Sequence, residues 1–323
     1  MKPRPRVVVT DAGFDDVAPE AAAAAAAGAE FARFAARSAE AVAEAVAGAT
    51  VAVVQFAPFT AAAAAAMAGG GTVIRYGVGY NNLDLDAIRA RGLRAAYVPD
   101  YCTDEVADHT AAMALALLRR ITALDASLRR GEWAVQKVAA PMPPLSETVV
   151  GFLGYGRIAR AVASRLRGFG VTVIAHDPFH VPSADDPPAE MVGIEGLFAR
   201  ADCLSLHAPS TPETVGIVNA ATLAAMKPTA CIVNTARGDL IDEAALAEAL
   251  AASRLAGAAL DVFAEEPLPE GSALRRAPNL ILSPHAAWYS DVAVRRLQHL
   301  VADEIARALE GRPVRRPIPG TGV

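Results

Sequence analysis

The sequence predicts an α/β protein with two doubly wound domains, in which parallel strands alternate with helices. Short β-branched runs recur between helix-forming stretches, a pattern that indicates parallel strands joined by right-handed crossovers. The chain has 323 residues, which is enough for two domains with separate cores. A proline-rich segment at residues 141–144 separates two such alternating series.

The first series extends to about residue 100 and contains five predicted strands. Two alanine-rich runs lie between strand-like segments and favour helices, because alanine has the highest helix propensity; they are residues 21–27 and 61–66. Five strands with intervening helices predict a flavodoxin-like doubly wound domain. The strands are expected at residues 6–10, 30–34, 51–56, 72–76 and 94–98.

A long helix is expected to follow, from Thr103 to about residue 130. Thr103 is the expected N-cap, and Asp104 and Glu105 in the first turn complement the helix dipole. Gly131 is expected to end this helix.

The second series begins at Thr148 and contains six predicted strands, the number found in a dinucleotide-binding domain. A final helix, about residues 290–310, is expected to pack back on the first domain and make it discontinuous. The expected division is residues 1–100 with 292–323, and residues 101–291. The strands are expected at residues 149–154, 172–176, 203–207, 230–234, 258–262 and 280–283.

Charge and composition restrict the class of protein. The net charge of −5 provides no basic field for nucleic acid or an anionic membrane. Cys102, Cys203 and Cys231 form no CxxC pair, so we expect them to be apolar residues of the interior rather than ligands of a metal. No signal-peptide core or membrane-length apolar run is found. We therefore expect a cytoplasmic protein without metal, membrane or nucleic-acid partners.

A glycine-rich turn is the clearest local motif. Gly154 and Gly156 follow a predicted strand and precede a helix, in the sequence Gly-Tyr-Gly-Arg-Ile-Ala. Such glycines let the backbone approach a pyrophosphate at the helix N-terminus. Asp177 ends the next strand, where an acidic side chain binds ribose hydroxyls, and no arginine follows it to meet a 2′-phosphate. The motif favours NAD over NADP; the alternative is a simple turn and a capping Asp.

Three further residues have the chemistry to act on a carboxylic acid. Arg237 follows a predicted strand, and its guanidinium can hold a carboxylate through two hydrogen bonds. His285 follows the last strand, and an imidazole can both donate and accept a proton near neutral pH. Glu266 is a carboxylate that could orient that ring and favour its protonated form. The alternatives are a structural arginine and a structural histidine, and spacing does not establish the pairing of Glu266 with His285.

Together these motifs resemble the D-isomer-specific 2-hydroxyacid dehydrogenase family over nearly the whole chain. The similarity is carried by residues 154–159, Asp177, residues 234–238, residues 261–267 and Pro284-His285. The resemblance implies a substrate domain and a Rossmann NAD-binding domain with the active site in the cleft between them. It implies Arg237 as carboxylate anchor, His285 as general acid and base, and Glu266 as the partner of His285.

The resemblance also implies sets of binding residues. In the first domain, residues 77–82 resemble the loop whose amides hold the substrate carboxylate, although Asn81 stands where family members usually carry Asp. Asp261 is implied as a contact of the nicotinamide amide. The implied cofactor-binding residues are Thr103, Gly154, Tyr155, Gly156, Arg157, Ile158, Asp177, His207, Ala208, Pro209, Thr214, Asn234, Thr235, Ala236, Asp261, His285 and Ala287. The implied substrate-binding residues are Tyr76, Gly77, Val78, Gly79, Arg237, His285 and Trp288.

Within the family, three stretches resemble the C-terminal-binding-protein branch, known for eukaryotic transcriptional corepressors: residues 75–82, 234–240 and 286–290. Trp288, with Tyr76, Tyr80 and Tyr101, predicts a substrate with an apolar or aromatic side chain, although a tryptophan near a domain interface can simply be packed.

The predicted function is reversible hydride transfer between NAD and a D-2-hydroxy acid or its 2-oxo acid. The alternative is an NAD(H)-responsive dimeric binding protein, similar to the corepressors, whose turnover is incidental. The resemblance implies a homodimer formed through the helix that starts at Thr103 and the segment around Trp133.

Overall fold

The computed structural model describes residues 4–321, which divide into two compact units. The first unit contains the described residues up to Cys102 and those from Ser290 onward, and the second contains Thr103–Tyr289. The expected boundaries at residues 100 and 292 lie two residues from these. The start of the chain, where no signal-peptide core was found, lies partly outside the described residues.

The strands lie close to their expected positions. All five strands of the first unit begin at the expected residue and end one or two residues early, and those expected in the second unit lie within two residues of the prediction. In chain order they are β1 (Arg6–Val9), β2 (Glu30–Arg33), β3 (Val51–Val54), β4 (Thr72–Arg75), β5 (Arg94–Tyr97), β6 (Val149–Leu153), β7 (Thr172–His176), β8 (Glu190–Met191), β9 (Cys203–Leu206), β10 (Cys231–Asn234), β11 (Gly257–Leu260) and β12 (Leu280–Leu282).

Helices connect these strands, and both alanine-rich runs are helical as expected. They are α1 (Ala18–Ala26), α2 (Ala39–Ala45), α3 (Ala61–Ala66), α4 (Leu85–Ala90), α5 (Thr103–Leu118), α6 (Ile121–Arg129), α7 (Val135–Ala139), α8 (Arg157–Arg167), α9 (Ile194–Arg200), α10 (Ala220–Ala224), α11 (Glu243–Ala251) and α12 (Asp291–Leu309). No helix within residues 4–321 is long and apolar enough to cross a membrane.

The first unit is a parallel five-stranded sheet in the order β2-β1-β3-β4-β5. This is the flavodoxin-like order, so the expected fold class is confirmed. The last helix, α12, belongs to this unit and packs against α1, which confirms that the unit is discontinuous. Ser290 caps α12, since its Oγ accepts the amide of Ala293 at 2.9 Å.

The prediction of one long helix from Thr103 to about residue 130 is wrong. It divides into α5 and α6 at Arg120, which has a left-handed backbone with φ of 53°. The Arg120 guanidinium donates to the carbonyl of Ala256 at 2.7 Å and holds the break against the segment that leads into β11. Thr103 is the first residue of α5 rather than its cap, whereas Asp104 and Glu105 lie in the first turn as expected.

The second unit is a parallel seven-stranded sheet in the order β12-β11-β10-β9-β6-β7-β8. The six predicted strands are present, and the two-residue edge strand β8 adds a seventh. The order reverses between β6 and β9, and ligands of such sheets bind at the carboxyl ends of the strands beside this reversal. Cys203 and Cys231 are register partners in β9 and β10 and are buried, as expected.

A buried carboxyl group lies in the first unit. Glu20 on α1 is fully buried, and its Oε1 accepts the Tyr76 hydroxyl. Its Oε2 has no hydrogen-bond partner in the described part of the chain. Burial raises the pKa of Glu20, although the hydrogen bond from Tyr76 lowers it. The folded protein therefore holds this proton to a higher pH than the unfolded chain does.

We predict that Glu20→Gln changes the pH dependence of stability. Because the folded-state pKa of Glu20 is raised, its ionisation makes the free energy of unfolding fall as the pH rises through that pKa. Glutamine keeps the acceptor for Tyr76 and cannot ionise. Chemical unfolding should show the variant gaining stability relative to the wild type as the pH rises above the ordinary pKa of a glutamate. The exposed Glu44→Gln is the control, and a difference for Glu20→Gln that is constant with pH contradicts the assignment.

Candidate active site

The glycine turn follows β6 and is shaped by close approach to the neighbouring loop. Gly154 has a φ of 83°, and a Cβ on it would lie 2.9 Å from the backbone of His207 and Ala208. Any larger residue would therefore push the turn away from the segment that follows β9. The fold itself requires glycine at this position.

Gly156 differs from Gly154, because no neighbouring protein atom requires glycine at this position. Its φ is −74°, and a Cβ on it would meet nothing within 4 Å. It is the N-cap of α8 and provides no side-chain cap, and the first-turn amides of a helix, here including those of Arg157 and Ile158, have no acceptor within the helix. Backbone donors at a helix N-terminus suit a pyrophosphate, so the residues present fit a dinucleotide.

Asp177 is fixed at the edge of this turn. Its Oδ2 accepts the Tyr155 amide at 2.8 Å, and its Oδ1 accepts the Phe179 amide at 2.9 Å. The Tyr155 side chain is buried and donates to the carbonyl of Pro187 at 2.9 Å, and burial raises its pKa to about 12. Tyr155, an expected cofactor contact, therefore donates its amide to Asp177 and places its ring in the core.

The loop after β9 is held by a backbone bond to β6 and by the side chain of Thr214. The His207 amide donates to the carbonyl of Leu153 at 2.7 Å, and burial lowers the pKa of His207 to about 3, so its ring is neutral at physiological pH. Thr214 Oγ1 donates to the carbonyl of Pro209 at 2.6 Å and accepts the Thr211 amide at 2.8 Å. These contacts fix the backbone that faces the glycine turn.

Arg237 follows β10 in a turn held by Asn234. The Asn234 side chain accepts the Ala236 amide at 3.0 Å and donates to the Arg237 carbonyl at 2.7 Å. Gly238 permits the next step, since a Cβ there would overlap the backbone carbonyl of Phe263. The two loops that follow β10 and β11 therefore pack backbone to backbone, which brings Arg237 towards the segment that carries Glu266.

Thr235 joins this turn to α5. Its hydroxyl lies 2.7 Å from that of Thr110, and Thr110 also donates to the Val106 carbonyl at 2.7 Å. Thr103 is the first residue of α5, and its role in cofactor binding stays a prediction.

His285 and Glu266 form the pair that spacing left open. His285 Nδ1 lies 2.7 Å from Glu266 Oε2, and each side chain is 33% exposed. Burial raises the pKa of Glu266, but the hydrogen bond and charge of His285, with a further contribution from Arg237, bring it below its usual value. An ionised Glu266 accepts the Nδ1 proton, which leaves Nε2 as the nitrogen that can exchange a proton.

Asp261 organises the loop that presents His285. Its carboxylate is buried and accepts the amides of Ala286 at 2.8 Å and Ala287 at 2.9 Å, and the Ser283 hydroxyl at 2.5 Å. Its main-chain carbonyl accepts the His285 amide at 2.7 Å. These bonds hold the backbone of His285 at a φ of 51°, which residues other than glycine rarely adopt.

Sequence reasoning missed this organising role and two side chains that share it. Ser283 donates to Asp261, and His109 Nε2 lies 3.1 Å from the Ser283 hydroxyl. The position of Ser283 directly after β12 was a weak signal. Nothing in the pattern of α5 distinguishes His109.

The structure corrects the role expected for the Tyr76 side chain. Tyr76 is fully buried with its hydroxyl bound to Glu20, and Tyr101 is also buried. The Tyr80 ring packs edge-on against Tyr97 at 5.4 Å. Tyr76 is therefore a core side chain rather than part of an aromatic substrate pocket. Its phenol faces the interior because Glu20 supplies a buried acceptor.

The expected substrate loop after β4 has an unusual backbone. Gly77 has a φ of 143°, and a Cβ on it would overlap the Arg75 guanidinium. Asn82 steadies the end of the loop, because its Nδ2 donates to the Ala57 carbonyl at 2.9 Å. Val78 and Gly79 lie between these points, with their backbone in an irregular segment. In the second unit, Trp288 packs edge-on against Tyr289 at 5.7 Å.

Comparison with known proteins identifies the family. Residues 111–287 match the model of the D-isomer specific 2-hydroxyacid dehydrogenase, NAD binding domain. D-3-phosphoglycerate dehydrogenase of Mycobacterium tuberculosis is 40% identical over 240 residues, 74% of this chain and 45% of that protein. The chain thus spans about half the length of such relatives.

Glycerate dehydrogenase of Methylorubrum extorquens is 32% identical over 280 residues, covering 85% of this chain and 87% of that protein. The structure of a glyoxylate reductase from Paecilomyes thermophila superposes with a TM-score of 0.87 at 26% identity, covering 98% of this chain and 99% of that one. The chain therefore belongs to the D-isomer specific 2-hydroxyacid dehydrogenase family, and its cofactor is NAD.

Proposed function

We propose that this protein is a reversible NAD-dependent dehydrogenase that interconverts a D-2-hydroxy acid and its 2-oxo acid. The observation that carries the proposal is the His285–Glu266 pair at 2.7 Å, beside the loop that bears Arg237. These are the groups that a 2-oxo acid requires: a proton donor for the carbonyl oxygen and a cation for the carboxylate.

The proton is moved by His285. In reduction, its Nε2 donates a proton to the carbonyl oxygen, and in oxidation the same atom takes a proton from the hydroxyl. Glu266 accepts the Nδ1 proton throughout, so it fixes the ring and stabilises the imidazolium. Because Asp261 holds the backbone of His285, the ring does not need to be reoriented during each turnover.

Arg237 orients the substrate through two parallel hydrogen bonds to its carboxylate. The amides of Gly77, Val78 and Gly79 act as a second grip, and Trp288 lines the substrate site. These assignments follow the family resemblance. The backbone of Gly77, with a φ of 143° that residues with a side chain rarely adopt, supports the assignment of this loop.

The dinucleotide is held by the second unit. Gly154 and Tyr155 shape the pyrophosphate turn, because their amides donate to His176 and Asp177. The amides of Gly156, Arg157 and Ile158 bind the pyrophosphate, and Asp177 binds the ribose hydroxyls. The loops at residues 207–214 and 234–236, with Thr103, Asp261 and Ala287, complete the site. When bound, NAD supplies or accepts the hydride at its nicotinamide ring.

We propose that the substrate is a short, hydrophilic acid rather than an aromatic one. The burial of Tyr76 removes the main support for an aromatic pocket. The relatives described above are named for phosphoglycerate, glycerate and glyoxylate. For the same reason, membership of the corepressor-like branch and a binding-only role stay predictions without support from these relatives.

A homodimer also belongs to the proposal. Trp133, between α6 and α7, is 92% exposed, and Ile121 and Leu128 on α6 are also exposed. Apolar side chains of this size at the surface favour an interface between subunits.

Arg237→Ala is predicted to abolish efficient reduction. A panel of 2-oxo acids with NADH, including glyoxylate and hydroxypyruvate, should contain one substrate with kcat/KM of order 10⁴ M⁻¹s⁻¹ or more. Loss of the carboxylate anchor should lower this value by about 100-fold or more. The exposed Arg254→Ala serves as the control. Wild-type kcat/KM in Arg237→Ala for every accepted acid contradicts the assignment.

Replacing each glycine of the turn by alanine is predicted to affect a different property, NADH affinity for Gly156 and stability for Gly154. Gly156→Ala should fold with the thermal stability of the wild type, because its Cβ meets no protein atom, and should bind NADH at least about ten-fold more weakly. Gly154→Ala should be destabilised, because its Cβ meets the backbone of His207 and Ala208. Calorimetric titration and thermal unfolding measure the two effects. Unchanged NADH affinity in Gly156→Ala would place the pyrophosphate elsewhere.

A further inference from the structure

A line of three polar side chains lies behind the loop that presents His285. His109 projects from α5, Ser283 follows β12 and Asp261 follows β11. His109 Nε2 lies 3.1 Å from Ser283 Oγ, and Ser283 Oγ lies 2.5 Å from Asp261 Oδ1. His109 Nε2 is also 3.8 Å from that same carboxylate oxygen.

The hydrogen bonds of Asp261 fix the direction of this line. Asp261 acts as an acceptor, because it takes two backbone amides besides the Ser283 hydroxyl. Ser283 has a single hydroxyl proton, and the 2.5 Å contact directs it to Asp261. Towards His109, Ser283 Oγ can then only accept, so the proton lies on His109 Nε2.

The line ends on the residues that shape the catalytic loop. Asp261 binds the amides on the C-terminal side of His285 through its carboxylate and the amide of His285 through its carbonyl. The left-handed backbone of His285 is costly for a residue with a side chain and persists only where its surroundings fix it. A carboxylate that moved would release that backbone.

We propose that His109 is a positioning residue which, as an Nε2–H donor, holds Ser283 and Asp261 and thereby the conformation of His285. This role rests on the proposed function, in which His285 moves the proton. It requires a donor at position 109 rather than a charge, because what Ser283 Oγ accepts is the proton on His109 Nε2. His109 acts through these neighbours and touches no reacting atom in this role.

The test compares His109→Leu with His109→Gln in steady-state reduction of hydroxypyruvate by NADH. Leucine removes the donor and should lower kcat about ten-fold while KM changes little, because a misplaced His285 slows proton transfer more than binding. Glutamine has an amide N–H that can reach Ser283, and it should restore kcat to within about three-fold of the wild type. The exposed His299→Leu on α12 is the matched control.

Thermal unfolding of each variant separates positioning from stability. A wild-type kcat in His109→Leu, or equal loss in the leucine and glutamine variants, overturns the proposal. If the wild-type enzyme reduces no 2-oxo acid, the proposed function fails instead, and the direction of the line can still be tested alone.

That direction is tested by NMR of protein labelled with ¹⁵N-histidine, at a pH where the ring is neutral. The signal that disappears in His109→Gln should come from a ring protonated at Nε2. A signal from a ring protonated only at Nδ1 overturns the inference, whether or not the protein is active.

Discussion

The buried carboxylate of Asp261 is the constraint on which the candidate active site depends. It lies directly after β11 and gathers the hydroxyl of Ser283 and the amides of Ala286 and Ala287. A buried charge is stable only when it is fully hydrogen-bonded. Movement of the loop that carries His285 would therefore leave the Asp261 carboxylate without its partners. The backbone conformation of His285 is thus determined by the hydrogen bonds that the Asp261 carboxylate requires.

The other site loops are placed by close backbone contact. Gly154 allows the turn after β6 to touch the loop after β9, and Gly238 allows the turn after β10 to touch the loop after β11. Both contacts lie at the carboxyl ends of parallel strands, where the sheet brings neighbouring loops together. Rigid strands with short, tightly packed loops hold polar groups in a fixed arrangement, which suits a reaction whose rate depends on positioning.

Much of this could be predicted from the sequence. The valines of β1 and the whole of β3 are continuous apolar runs buried in a parallel sheet, so the positions of these strands are visible in the pattern. The glycine turn, Asp177, Arg237 and His285 all follow predicted strands, which is why their positions were apparent. The pairing of Glu266 with His285 was not, because contacts between separate loops leave no periodic signal.

Most of the features that the sequence did not predict depend on contacts between residues far apart in the chain. The left-handed Arg120 that divides α5 from α6 is stabilised by a carbonyl far along the chain, and β8 is too short to show a pattern. The burial of Tyr76 was not predicted, because it depends on the packing of α1, which places Glu20 beside the phenol. Tertiary partners determine the backbone of Arg120 and the burial of Tyr76.

Transfer of deuterium from labelled NADH tests the central claim most directly. The protein is incubated with hydroxypyruvate and NADH carrying deuterium at either face of nicotinamide C4, and the product is analysed by mass spectrometry and chiral chromatography. One of the two labelled cofactors should place a single deuterium at C2 of D-glycerate, and the same reaction in His285→Ala should be at least about 100-fold slower. Unlabelled product from both cofactors, or product of the L configuration, would contradict the account.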